Sequence, residues 1–266
     1  MIASEASPRS GPAAAGEASA PASGGWLTRL GHFVFRRRKL LFPLVFIPVT
    51  LATTRRMLVG GADLDRWLDV AGFGAAILGQ LLRALAIGLV YIKRGGDSGR
   101  IYATKLVHEG FFAHSRNPLY LGNLLIVFGM FLVLNSLPGY LLGLPFFVIA
   151  YLSLVLAEED YLRRTFGKEY ADYHGRVNRF IPSPRGLWTT LTSMKFNWQR
   201  LVRKEYGATF AGGTWLLILL GWTRVVRDGF PQARATLEAA LAVWVVLLLG
   251  YLTARFLKKT KRLGST

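Results

Sequence analysis

The chain has 266 residues, 52% of them hydrophobic, and a mean hydropathy of +0.33. Its long apolar runs exclude an ordinary soluble domain, and because they are continuous rather than alternating they select membrane-spanning helices over a barrel. The net charge is +18, but the cations cluster beside the apolar runs, at Arg36-Arg37-Arg38-Lys39, Lys93-Arg94, Arg163-Arg164 and Lys258-Lys259. That pattern argues for membrane orientation and attraction to anionic lipid, and against nucleic acid. With no cysteine, disulfides, thiolate nucleophiles and cysteine metal sites are excluded.

Residues 1–25 are rich in Ala, Ser, Gly and Pro and are expected to form a disordered tail. Residues 26–67 read as a basic approach followed by a first candidate span from Leu40 to about Gly60, interrupted by Pro43 and Pro48. Asp63 to Trp67 is expected to be a loop. A second span is predicted over Leu68 to Ile92, with Gln80 and Arg83 inside it. At that depth Arg83 should face other helices or a polar cavity. A third span over Leu119 to Leu134 and a fourth over Tyr140 to Ala157 are joined by the turn signal Asn135-Ser136-Leu137-Pro138-Gly139. Together they predict a helical hairpin at 119–157. Two more spans are expected in a C-terminal extension, 185–266, from Thr209 to about Val226 and from Ala235 to Phe256. The fold class is therefore all-α, a polytopic membrane protein of about six transmembrane helices. Its Lys and Arg distribution puts the N-terminus, residues 93–118, the Glu158 region and the C-terminus in the cytosol. Arg55, Arg56, Arg224 and Arg227 fall on the other side.

Two polar stretches stand out on one face of the membrane. The first runs from His108 to Gly122 and contains Gly110, Phe111, Phe112, His114, Arg116, Asn117, Pro118 and Tyr120. The second is Glu158-Glu159-Asp160. Arg116 carries a planar fork suited to a carboxylate or phosphate, and Pro118 suits the first turn of a helix. The alternatives are a snorkelling Arg116 and a solvated acidic helix end. At helical spacing Glu159 can pair with Arg163 and Asp160 with Arg164, which leaves Glu158 without a local cation. The histidines lack metal-ligand spacing, so no metal is expected.

The series Arg116-Asn117-Pro118-Leu119-Tyr120-Leu121-Gly122 resembles the Arg-His-Pro-x-Tyr-x-Gly motif of the isoprenylcysteine carboxyl methyltransferase family. Glu158-Glu159-Asp160-Tyr161-Leu162, Phe166-Gly167-Lys168-Glu169-Tyr170-Ala171-Asp172-Tyr173 and the Val177…Phe180-Ile181-Pro182 ending match its later motifs in order. The likeness covers about 68–184, which makes that segment the methyltransferase core. Asn117 stands where the family has His, and Phe112 where it often has Tyr. This resemblance, shared with the phospholipid methyltransferases, implies an S-adenosylmethionine-dependent integral membrane methyltransferase acting on a lipophilic acceptor from the bilayer. It implies that His108, Gly110, Phe112, Arg116, Asn117, Pro118, Tyr120, Gly122, Glu158 and Glu159 hold the cofactor, with Arg116 and Glu158 also positioning the reaction. Tyr170, Tyr173 and Arg176 fall on the acceptor side. An amine or hydroxyl acceptor would need a base, for which His108, His114, Glu109 and Tyr173 are nearest. The competing readings are a membrane reductase using NADPH, which shares an Arg-x-x-x-Tyr-x-Gly element, and a non-catalytic membrane scaffold.

Overall fold

The computed structural model describes residues 25–53, 61–90, 103 and 105–260. The N-terminal tail, Arg55-Arg56, Lys93-Arg94 and the end of the expected first span lie outside them. Seven α-helices are found among the described residues: α1 (Trp26–Leu51), α2 (Ala62–Leu89), α3 (Pro118–Leu134), α4 (Leu144–Arg176), α5 (Leu187–Ser193), α6 (Trp198–Asp228) and α7 (Phe230–Lys259). No strand occurs among these residues, as backbone groups in lipid demand.

Among the described residues four helical stretches are long and apolar enough to cross a membrane: Asp63–Leu89, Gly139–Arg176, Trp198–Asp228 and Phe230–Lys259, with Pro118–Leu134 as a shorter apolar helix. The chain is an all-helical polytopic membrane protein, with four such spans among the described residues where about six were expected over the whole chain. Helix α1 carries four consecutive cations, and α3 is 17 residues long. The expected loop at Asp63–Trp67 is helical instead. Asp63 and Asp65 occupy the first turn of α2, where carboxylates complement the helix dipole.

Helix α3 packs most closely on α2, in an antiparallel seam closed by glycine. A Cβ on Gly129 would lie 2.3 Å from the Gly72 carbonyl oxygen, and one on Gly122 would lie 2.6 Å from that of Gly79. Seven residues separate the glycines on each helix, so two turns apart the backbones touch. The turn predicted between α3 and α4 is present, opened by Asn135 at φ 37° and followed by a π turn over Gly139–Gly143. Helix α4 continues past its apolar stretch to a break at Gly167, at φ 49°, ψ −117°, a conformation suited to glycine. Helix α1 lies antiparallel along α4: Gly31 meets Ser153 and Ala157, and Phe42 meets Phe147 and Tyr151 at 5.1 and 5.4 Å between ring centroids.

Candidate active site

Pro118 begins α3, so the residues before it sit at one end of the bundle, where α4 leaves its apolar stretch. The two polar stretches meet there. Arg116 Nη2 lies 3.1 Å from Glu159 Oε1, and its Nε donates to the same oxygen at 3.2 Å. Its Nη1 donates to the His174 carbonyl at 2.9 Å and to the Val177 carbonyl. The Asn117 amide donates to Glu159 Oε1 at 3.1 Å. Arg179 closes the cluster, its Nη2 2.9 Å from Glu159 Oε2. Glu159 is thus a buried carboxylate held by two guanidiniums and an amide, rather than by Arg163. The Asp160–Arg164 pair forms at 2.9 Å, one helical turn apart.

Backbone pairing fixes this arrangement. Residues 114–117 lie along 178–183: Arg116 N donates to Asn178 O at 2.9 Å, Asn117 N to Arg179 O at 3.1 Å and Ser183 N to His114 O at 2.9 Å. The Ser115 hydroxyl donates to Phe180 O at 2.8 Å. The tail after α4 therefore folds back on the loop before α3, and Glu159 bridges Arg116 of the loop and Arg179 of the tail.

Glu158 is half-buried and is hydrogen-bonded by the Tyr120 hydroxyl, so the two adjacent carboxylates do different work. Tyr120 also packs on Tyr151 at 6.2 Å between centroids. The Tyr173 hydroxyl donates to the Phe112 carbonyl at 2.8 Å, and His108, exposed, lies 6.3 Å from the Tyr173 ring. Tyr170 is 1% exposed, and its hydroxyl has no hydrogen-bond partner.

Other predicted residues are placed differently. Gly122 lies against Arg83 and Gly79, where its smallness serves the α2–α3 seam. Gly110 has φ +58° and is packed on Val90, so it answers a backbone requirement. His114 is buried, with Nδ1 3.0 Å from Ser183 O and Nε2 2.9 Å from Thr190 Oγ1. Both ring nitrogens are occupied, which removes it as a base in this arrangement. Arg176 is exposed, and its Nε is turned to its own helix at Asp172 O. The cation at the rim is Arg179, whose side chain is 37% exposed against 8% for Arg116. Sequence alone does not separate Arg179 from the neighbouring cations Arg163, Arg164 and Arg176. Its signal was its place just before Phe180-Ile181-Pro182, the end of the motif series.

Arg83 faces other helices, as its depth requires. It makes a two-pronged pair with Glu205 of α6, with Nη2 2.7 Å and Nε 2.9 Å from Oε2, and also bonds Asn123. The span expected from Thr209 leaves Glu205 outside it, whereas α6 begins eleven residues earlier, at Trp198, and includes it. Among the described residues no group of three His, Asp or Glu could hold a metal ion.

Comparison with known proteins bears on the same segment. No curated protein and no solved structure matches the chain. Residues 70–169 match the family model described as phospholipid methyltransferase, a stretch that takes in most of α2, Arg116 to Gly122 and both Glu158 and Glu159. Over this segment, though not over the chain as a whole, the sequence is similar to the phospholipid methyltransferase family.

Proposed function

We propose that the protein transfers a methyl group from S-adenosylmethionine to a lipophilic acceptor at the cytosolic end of the bundle. The observation that carries this reading is the convergence of Arg116-Asn117-Pro118 and Glu158-Glu159 at one helix end, within the family segment. The residues fit such a cofactor. Glu158 offers a carboxylate to an ammonium, and Arg179 offers a half-exposed fork to a carboxylate. The partnerless Tyr170 hydroxyl is a buried group that a ligand would satisfy. His108 and Tyr173 present aromatic faces. Bound there, S-adenosylmethionine supplies an electrophilic methyl on a sulfonium.

The chain's own contribution is positioning. Arg116 and Glu159 lock the loop to α4, and Tyr120 orients Glu158 from the first turn of α3. Holding two reactants in line gives effective molarities on the order of 10⁵ M or more. An acceptor that is already anionic needs no base; with His114 fully bonded and the buried Tyr173 hydroxyl committed to the Phe112 carbonyl, the base for any other acceptor falls to His108 or Glu109. The acceptor class follows from the setting: a group carried on a hydrocarbon chain that approaches α3 and α4 from the bilayer.

The test uses purified protein in lipid nanodiscs, offered labelled S-adenosylmethionine and labelled NADPH separately, then native lipid extract. Binding of the first and label in the lipid fraction is the expected result. Binding of NADPH alone selects the reductase reading, and binding of neither selects the scaffold.

A further inference from the structure

Helix α1 lies before the family segment, and methyl transfer as proposed makes no use of it. Between Trp26 and Leu51 it has no acidic residue, yet it carries Arg29 and the run Arg36-Arg37-Arg38-Lys39. Consecutive residues are ~100° apart on a helix, so the four cations encircle it. Arg38 is half-buried on the side toward α4, near Tyr120 and Tyr151, with its guanidinium 4.4 Å from the Phe35 ring centroid. Arg36, Arg37 and Lys39 are exposed.

Depth makes this run unusual. Gly31 is level with Ser153 and Ala157, and Phe42 with Phe147 and Tyr151. Residues 36–39 lie between these levels, on the bilayer side of Glu158. From Arg37 an exposed apolar stripe descends through Leu40 (62% exposed), Leu44 (60%), Ile47 (41%) and Leu51 (59%), with the 3–4–3–4 spacing of a single helix face. Cations at one end of a hydrocarbon stripe match one molecule, an anionic lipid standing beside the helix. The charges offset the headgroup, and the stripe takes an acyl chain.

We propose that α1 carries a docking site for an anionic bilayer lipid, its phosphate against Arg36 and Arg37 and its chain along Leu40, Leu44, Ile47 and Leu51. Arg38 links this site to Tyr120 and Tyr151, so a lipid held there borders the candidate active site.

The experiment needs no cofactor, so its result is independent of methyl transfer. Full-length protein is purified in micelles containing equal phosphatidylglycerol and phosphatidylcholine, and retained lipid is quantified by mass spectrometry. The wild-type chain is expected to retain phosphatidylglycerol preferentially. R36Q/R37Q should lose that lipid roughly tenfold or more, and Arg37→Gln alone roughly fivefold, the order expected for cations at an anionic headgroup surface. R36K/R37K and the C-terminal variant K258Q/K259Q should keep it. Undiminished retention in Arg37→Gln overturns the proposal. So does an equal loss in K258Q/K259Q, which would make the preference one of net charge.

Discussion

Glu158 and Glu159 show why adjacent carboxylates need separate treatment. Glu159 is 4% exposed and bonded to Arg116, Arg179 and Asn117. Removing one partner of such a pair leaves an uncompensated buried charge. Glu159→Ala should therefore destabilise the protein by roughly 3 kcal/mol, the low end for a buried pair because Arg179 is partly solvated. Glu158→Gln keeps the shape and a bond to Tyr120 but removes the charge. It should leave the unfolding midpoint nearly unchanged and weaken S-adenosylmethionine binding about tenfold, the scale of one charge-assisted hydrogen bond. Unfolding curves and binding isotherms on the two variants check this division; equal thermal destabilisation would remove it. Arg116→Ala belongs with Glu159→Ala, because the guanidinium is the internal partner of that carboxylate. The sequence located this end of the molecule through its motifs, and spacing alone picked out Glu158 as lacking a local cation. It did not reveal Glu159's partners: helical spacing offers Arg163, whereas Arg179 arrives through the fold-back after α4, 20 residues on.

Among the elements, the apolar helices were legible because their periods and turn residues are strong local signals. Leu119 to Leu134 matches α3 to within one residue. Helix ends were less legible where charge is neutralised from afar. Helix α6 begins at Trp198, and the Glu205 that interrupts its apolar pattern is bonded to Arg83. The pairing of α3 was also hidden: chain order suggests α4, whereas the glycine seam selects α2. Gly122 lies in both the motif and that seam, so substitution separates its roles. Gly122→Val places side-chain atoms where a Cβ alone would lie 2.6 Å from the Gly79 carbonyl and from Arg83 Cγ. Overpacking of this kind costs about 1–3 kcal/mol. Gly175→Ala, in the helical end of α4 where a Cβ meets nothing within 4 Å, should stabilise by about 0.4–1 kcal/mol. Unfolding midpoints should move in opposite directions. A Gly122→Val protein that keeps its midpoint but loses cofactor binding would return this glycine to the site.

On the scale of the whole molecule, three polar clusters fasten the bundle at three depths. Arg116, Asn117, Glu159 and Arg179 lie at the site end. At the opposite end Arg227 Nη1 is 2.7 Å from Asp65 Oδ2, Arg224 is bonded to Asp69, and the Asn135 amide donates to Asp65 at 2.9 Å. Arg224 and Arg227, which stood against the orientation rule, are thus buried ties between α6 and the ends of α2 and α3. Between these ends sits the Arg83–Glu205 pair, which joins the family segment to the C-terminal extension and lies beside the Arg116-to-Gly122 motif through Gly122. If this pair is what couples extension to core, its two halves must be energetically dependent. Glu205→Arg confronts Arg83 with a second cation in a buried setting, and Arg83→Glu does the equivalent. Each should lower stability by at least about 3 kcal/mol. The double exchange R83E/E205R restores opposite charges and should recover a coupling energy of about 0.5–3 kcal/mol relative to the sum of the single changes. Additive losses would show that α6 is held to the core by its apolar contacts and the Asp65 and Asp69 ties alone. In that case methyl transfer should tolerate a loosened α6, whereas a coupled pair predicts that stability and S-adenosylmethionine affinity fall together in the single variants and return together in the exchange.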